Sequence, residues 1–190
     1  MLDQLGKEET KNILSSYLCP INKDIEYFLH ERAIEFSKQG IAATHLIFTS
    51  YKNTPVLIGY FTLANKQIYI SNSRLSNNFR KRVKKFGISI EKGYIIVAPL
   101  LAQFGKNYKN NYDKLISGDE LIKIVIDKVK YIHTELGGKF LYLECEDTKG
   151  LLDFYESHGY INIGKREVDR DEKDRLKGAY LVQMLKYINL

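Results

Sequence analysis

The segment from Ser117 to Leu136 constrains the fold more than any other. Leu121, Ile122, Val125, Val129, Ile132 and Leu136 form an apolar stripe at helical period. Ser117-Gly118-Asp119-Glu120 has the S-x-x-E spacing of a capping box, so the helix has a defined start, and Gly137-Gly138 ends it. The segments on either side, Tyr94 to Phe104 and Phe140 to Glu144, are short, apolar and suited to buried strands. A long helix between two buried strands predicts an α/β chain.

The remaining pattern agrees. Asn22 is placed to cap a helix over Lys23 to Ser37, with Gly40 after its end. Thr44 to Tyr51 and Val56 to Leu63 read as a hairpin around the turn Lys52-Asn53-Thr54-Pro55, and Gln67 to Ile70 as a short extended piece. Arg74 to Lys85 reads as an amphipathic helix on Leu75, Phe79, Val83 and Phe86, and Lys106 to Leu115 as an amide-rich loop. Leu151 to Ser157 is a short helix closed by Gly159. Strands at Tyr160 to Gly164 and Ala179 to Tyr187 flank a charged connection, Lys165 to Lys177, whose signs come within one charge of balance and which reads as a solvated hairpin. Early and late strands able to pair as hairpins predict a mixed sheet.

Length and composition bound the classes. At 190 residues, with 44% hydrophobic and 27% charged residues, the chain is expected to fold as one domain over 1–190, with a basic helical insert at about 71–86. Two cysteines, Cys19 and Cys145, exclude a disulfide scaffold and a four-thiolate metal site, and read as reduced thiols of a cytoplasmic protein. No apolar run approaches the length of a membrane span, so no membrane partner is expected, and Met1 to Thr10 is too polar for a signal peptide.

Charge is concentrated. There are 29 Lys and Arg against 23 Asp and Glu, an excess of six. Arg74, Arg80, Lys81, Arg82, Lys84 and Lys85 supply that whole excess within twelve residues holding no acid, so the rest of the chain is balanced. Such a patch suits an anionic partner, and a solvated helix face is the plainer alternative.

The four histidines (30, 45, 133 and 158) lack metal-ligand spacing, so no metal is expected; neither a hydrolase elbow nor a Walker loop is present. Two features remain. The first is the junction of buried strand, loop and capped helix: a helix start offers unpaired N–H groups and a positive dipole end, which attract phosphate. The second is Phe154-Tyr155-Glu156-Ser157-His158-Gly159-Tyr160, an aromatic pair at a helix end followed by glycine and an aromatic.

Together these features resemble the GNAT superfamily of acyl-CoA-dependent N-acyltransferases. Lys149 to Tyr160 matches its closing pattern of a short helix, F/L-Y-E, two residues, Gly and an aromatic. Leu101-Ala102-Gln103-Phe104-Gly105-Lys106 resembles its splayed central strand, and Asp113 to Gly118 falls on its Q/R-x-x-G-x-G/A phosphate loop. Asp113 stands for the loop's Gln or Arg, Ile116 for its first Gly, and Thr148 for a frequent Asn; Gly118 is kept. A side chain at 116 requires negative φ there, and Asp119 and Glu120 put negative charge in the first helical turn.

The resemblance implies a mixed, splayed central sheet of about six to seven strands with helices on both faces, and acetyl-CoA as acyl donor. Backbone groups around Phe104, Gly105 and Lys106 would pair with the pantetheine arm. Amides of Asp113, Lys114, Ile116, Ser117, Gly118 and Asp119 would hold the pyrophosphate, and Leu151 and Phe154 would pack beside the thioester. A primary amine would attack the thioester directly, with Tyr155 as general acid toward the leaving thiolate. Glu144 and Glu146 are the candidate bases.

The basic segment also resembles a branch of the superfamily whose members are toxins that acetylate the amino acid on charged tRNA. It implies tRNA contacts through Arg74, Arg80, Lys81, Arg82, Lys84 and Lys85, and a homodimer is compatible with it. Two alternatives stay open: a non-catalytic acyl-CoA-binding regulatory module, and a nucleic-acid-binding protein without activity.

Overall fold

The computed structural model describes residues 6–170, 173, 176 and 178–189. Helix α1 (Lys7–Leu14) opens the described chain. Next come α2 (Lys23–Tyr27), a π-helical turn (Phe28–Arg32) and α3 (Ala33–Lys38). Asn22 caps α2 through Oδ1, which accepts from the amides of Asp24 and Ile25. The single helix read over 23–37 is therefore present but widened in its middle by the π turn, which carries the buried Phe28 and Leu29.

The strands are β1 (Ala42–Tyr51), β2 (Thr54–Ser71), β3 (Ile88–Ile90), β4 (Gly93–Lys106), β5 (Phe140–Glu146), β6 (Tyr160–Glu167) and β7 (Tyr180–Tyr187). The remaining helices are α4 (Asn77–Phe86), α5 (Gly118–Leu136) and α6 (Lys149–Ser157). The described residues form a seven-stranded sheet ordered β1-β2-β4-β5-β7-β6, with β3 attached to β4. It is mixed: β4 and β5 run parallel through two residue pairs only, Leu100 with Tyr142 and Leu101 with Leu143, while β1–β2, β3–β4, β5–β7 and β6–β7 are antiparallel.

Val56–Leu63 and Gln67–Ile70 belong to one long strand, β2, because Ala64-Asn65-Lys66 holds no breaker. Lys109–Leu115 winds into 3-10 turns instead of an open loop, with Asn110 (φ 53°) and Asn111 (φ 60°) in the left-handed region that asparagine tolerates. The basic helix starts three residues later than read, behind a 3-10 turn (Asn72–Arg74) and a Ser76 cap. The charged connection over 165–177 lies partly outside the described residues.

The described chain separates into two compact units. The first holds residues up to 64 together with 102–125. There Leu14, Tyr17, Cys19, Phe28, Leu29, Ala33, Leu57 and Tyr60 make one core, and Ile58, Ile116 and Leu121 a second with Phe104 and Tyr112. A register shift between Ile47 and Phe48 explains why Leu57 and Tyr60 share a core and Ile58 faces the other. The second unit holds 65–101 and 126–190. Its core packs Leu75, Phe79 and Val83 from the α4 segment onto Ile70, Ile96, Phe140, Tyr142 and Leu185 of the sheet. The ring of His133, read above as lacking a metal partner, lies 3.1 Å from both the Gly137 and Phe140 carbonyls, where it ties the end of α5 to β5. No helix of the described residues is long and apolar enough to cross a membrane.

Candidate active site

In the first unit, β4 ends at the candidate strand Phe104-Gly105-Lys106. Gly105 is buried because α2 and the preceding loop crowd it: a Cβ there would lie 2.6 Å from Tyr17 Oη and 2.9 Å from Ile25 Cγ2. The Lys106 ammonium turns along the chain and donates to the Asp113 carbonyl (2.9 Å), tying the strand end to the loop that follows.

That loop is organised by Asn107, which is fully buried. Its Oδ1 accepts from the amides of Leu18 and Lys109, both at 3.0 Å, and its Nδ2 donates to Leu57 O (2.8 Å) and Ser16 O (3.3 Å). Four bonds on one buried amide fix the exit of β4. Nothing in the sequence pointed to it beyond its place in an amide-rich stretch.

Ile116 has φ −148° and ψ 135°, so its Cβ costs no backbone strain, and its side chain is 6% exposed in the core with Ile58 and Leu121. The position that holds glycine in the GNAT pattern is used here to anchor the loop. Asp113 and Gly118 are half-buried; Lys114, Ser117 and Asp119 are exposed.

The capping box forms as read. Ser117 Oγ accepts from the Glu120 amide (3.1 Å), and Glu120 Oε2 accepts from both the Ser117 amide and hydroxyl (2.8 Å each). These bonds, the backbone one foremost, hold the Glu120 carboxyl below its ordinary pKa. They also place a carboxylate on an amide that an incoming pyrophosphate would use.

In the second unit, α6 presents Leu151 and Phe154 half-buried and Tyr155 buried. Tyr155 makes edge contacts with Phe154 (centroids 5.2 Å apart) and Tyr160 (5.6 Å). Burial, then the neighbouring Cys145, raises its phenol pKa, so Tyr155 keeps its proton. Burial likewise pushes the Cys145 thiol up to about 12, so it is no thiolate nucleophile. Gly159, at φ +78°, ends α6. The Lys186 ammonium donates to the His158 carbonyl at that corner.

Glu144 is engaged. Its Oε2 accepts from Arg166 Nε (2.7 Å) and its Oε1 from Tyr142 Oη (2.6 Å), which in turn accepts from Gln183 Nε2 (2.7 Å). With the Glu144 side chain 9% exposed, this is a mostly buried ion pair inside a polar network. Strand alternation sets Glu144 on the face of β5 opposite Cys145, the neighbour of Tyr155. This network too was invisible in the sequence, because its members lie up to 41 residues apart.

On the basic segment, Arg74, Lys81, Arg82, Lys84 and Lys85 are exposed. Arg80 is half-buried and donates through Nη2 to the Asn72 carbonyl (2.9 Å). The Arg82 guanidinium lies 4.8 Å over the Tyr187 ring.

No protein-family profile and no curated protein matches the sequence. Solved structures do match the fold. One, described only as a bacterial toxin, is 18% identical with TM-score 0.59, over 94% of this chain and 83% of that one. The toxin AtaT complexed with acetyl-methionyl-tRNAfMet is 16% identical with TM-score 0.60, over 89% of this chain and 85% of that one. AtaTR bound with AcCoA is 14% identical with TM-score 0.56, over 92% and 85%.

This chain has the fold of these toxins. The GNAT-like architecture read from the sequence is thereby shown as a fold, over nearly the whole described chain.

Proposed function

We propose that this protein is an N-acetyltransferase that moves an acetyl group from acetyl-CoA to the amino group of an aminoacyl-tRNA. The observation that carries the reading is the shared fold, over 89% of this chain, with a toxin solved with acetyl-methionyl-tRNAfMet. A further neighbour solved with AcCoA supports the donor.

The residues fit the donor in all but one respect. The amides of β4 at Phe104 and Lys106 would pair with the pantetheine arm, and the loop from Asp113 and Lys114 through Ile116 and Ser117 to Gly118 and Asp119 would meet the pyrophosphate. The loop is firmly built, tethered by Lys106 and anchored by Ile116. The Glu120 carboxylate on the Ser117 amide is the discordant group. Leu151 and Phe154 would pack against the thioester end.

Acetyl-CoA supplies an activated acetyl group. Tyr155 holds a proton in an apolar setting and gives it to the departing sulfur. Desolvation raises thiols as it raises phenols, so the two stay comparable once water is excluded. The acceptor nitrogen must lose a proton. Glu144, held by Arg166 and Tyr142, and Glu146, two residues on along the same face of β5, are the candidate bases. The exposed cations of Arg74, Lys81, Arg82, Lys84 and Lys85 would meet RNA phosphates.

The test is a thermal shift with acetyl-CoA together with transfer of labelled acetyl to charged tRNA. Stabilisation and transfer support the reading. Stabilisation without transfer to any amine favours a non-catalytic acyl-CoA-binding module, which the Glu120 carboxylate also favours. No stabilisation at millimolar acetyl-CoA contradicts both.

A further inference from the structure

The basic segment carries more than charge. Leu75, Phe79 and Val83 of its apolar stripe are buried in the core of the second unit. The last member of the stripe, Phe86, is 41% exposed at the end of α4, among the cations. Its ring stands edge-on to Phe140 (centroids 6.0 Å apart) and tilted against Tyr187 (6.3 Å). Phe140 and Tyr187 oppose each other across β5 and β7 and meet edge-on at 5.6 Å. Phe140 is buried and Tyr187 half-buried, so two partly exposed rings rest on a third that paired strands hold in place. Each of the two also has a cation over it. The Arg82 guanidinium lies 4.8 Å from the Tyr187 centroid, and the Lys85 ammonium 5.6 Å from that of Phe86.

Packing accounts for part of this. Surface cation–π pairs stabilise modestly, and Lys84 and Lys85 in the last turn suit the negative end of the helix dipole. Lys81 and Arg82 lie before that turn, and Lys81 repels Lys84 and Lys85 at i+3 and i+4 spacing. No acid stands between Glu35 and Glu91 in the sequence to offset them. A bound anion relieves that repulsion. A phosphate backbone asks for cations alone. Exposed rings and a flat guanidinium among the cations add π-faces, the chemistry that holds an unpaired base. An acidic peptide would leave those faces without a role, and a duplex keeps its bases stacked on one another.

We propose that Phe86, Tyr187 and Arg82 form a stacking platform for an unpaired RNA base, whose flanking phosphates meet Lys81, Lys84 and Lys85. The platform deepens the transferase reading by naming the part of the RNA that α4 takes, a single-stranded segment. It rests on that reading only in making the RNA a charged tRNA. The base stacks on Phe86 and on the Arg82 guanidinium, which Tyr187 supports. Every base has a π-face, so the platform is tolerant of sequence.

The probes are a short single-stranded RNA carrying a fluorescent adenine analogue, the same strand in a duplex, and an abasic chain of equal charge. Anisotropy over a salt series gives affinities, quenching of the analogue reports stacking, and thermal midpoints check folding. The wild type should bind the single strand at least about fivefold tighter than the abasic chain, the worth of one stacked base, and quench the analogue. Phe86→Leu keeps an apolar side chain on Phe140 and should lose that margin at an unchanged salt slope. Arg82→Lys, at an exposed position, keeps the charge and should lose part of the margin, again at an unchanged slope. Lys81→Gln should weaken single strand and abasic chain alike and lower the slope by about one. Equal affinity for single strand and abasic chain overturns the platform, as does a preference for the duplex. So does a folded Phe86→Leu or Arg82→Lys protein with the margin and quenching of the wild type; if Phe86→Leu fails to fold, Arg82→Lys decides. The charged-tRNA transfer assay on the same wild type separates the two proposals. A single-strand margin without transfer leaves the platform and removes the transferase; transfer without the margin does the reverse.

Discussion

Tyr155 is enclosed by Phe154, Tyr160 and Cys145, and its ring packs whether or not it carries a hydroxyl. Tyr155→Phe should therefore fold normally and keep the acetyl-CoA thermal shift, while turnover falls about 10²- to 10⁴-fold, the usual worth of a general acid. Steady-state rates beside melting curves check this. Gly105 makes the opposite case, a residue whose smallness is structural. A Cβ would meet Tyr17 Oη at 2.6 Å and Ile25 Cγ2 at 2.9 Å. Gly105→Ala should cost about 1–3 kcal/mol through overpacking, measured by denaturant unfolding. The corner around Tyr155, a short helix closed by Gly159 before β6, was legible because the F-Y-E-x-x-G-Y spacing is local. Asn107 and Glu144 were not, because their partners are set by tertiary structure: Asn107 reaches Leu18 across 89 residues and Glu144 reaches Arg166 across 22.

Among elements, α5 carries the most testable conflict. Its capping box makes a good helix start and a poor anion site, because Glu120 Oε2 already takes the Ser117 amide. Glu120→Gln preserves the capping-box geometry and removes the charge. It should tighten acetyl-CoA binding several-fold in a calorimetric titration if the loop holds pyrophosphate; weaker binding would place the pyrophosphate elsewhere. In α4, the exposed and half-buried cations should separate. Reversing Lys81, Arg82 and Lys84 to Glu should reduce tRNA acetylation and flatten its salt dependence, since each lost phosphate contact lowers that slope. Arg80→Glu should chiefly destabilise, because its guanidinium is bonded to Asn72 O. Why α5 was readable and other elements were not follows from where their signals lie. Cap and stripe sit within twenty residues of α5. The polar α1, by contrast, is held by a few buried residues, Thr10 and Leu14 among them. The continuity of β2 is carried through Ala64-Asn65-Lys66, which holds no breaker, past the end of its pairing with β1 at Ala42 and Ala64.

For the whole molecule, buried acids set the response to pH. Burial raises the pKa of Cys19, Cys145, Tyr17, Tyr60, Tyr108, Tyr142, Tyr155 and Tyr160, desolvation being the leading cause in each. The unfolded chain releases these protons from about pH 8.5 for thiols and about pH 10 for phenols, while the folded chain retains them. The unfolded state then binds fewer protons, and stability falls as pH rises. The melting temperature should decline from about pH 8.5 upward, and Cys145→Ala should decline less steeply between there and the thiol's folded value near 12. The mixed α/β order was legible at this scale from periodicity and hairpins. Division into two compact units was not, since long elements such as β2, β4 and α5 pass through both. The six-charge excess concentrated over 74–85 gives the molecule one cationic segment on an otherwise balanced chain. The central claim is acetyl transfer to the amino acid of a charged tRNA. The most direct measurement incubates the purified wild type with labelled acetyl-CoA and total aminoacyl-tRNA, alongside deacylated tRNA. Label on the aminoacyl ester that is lost when the ester is hydrolysed, and none on deacylated tRNA, is the predicted result; label on neither, from protein that acetyl-CoA stabilises, would contradict it.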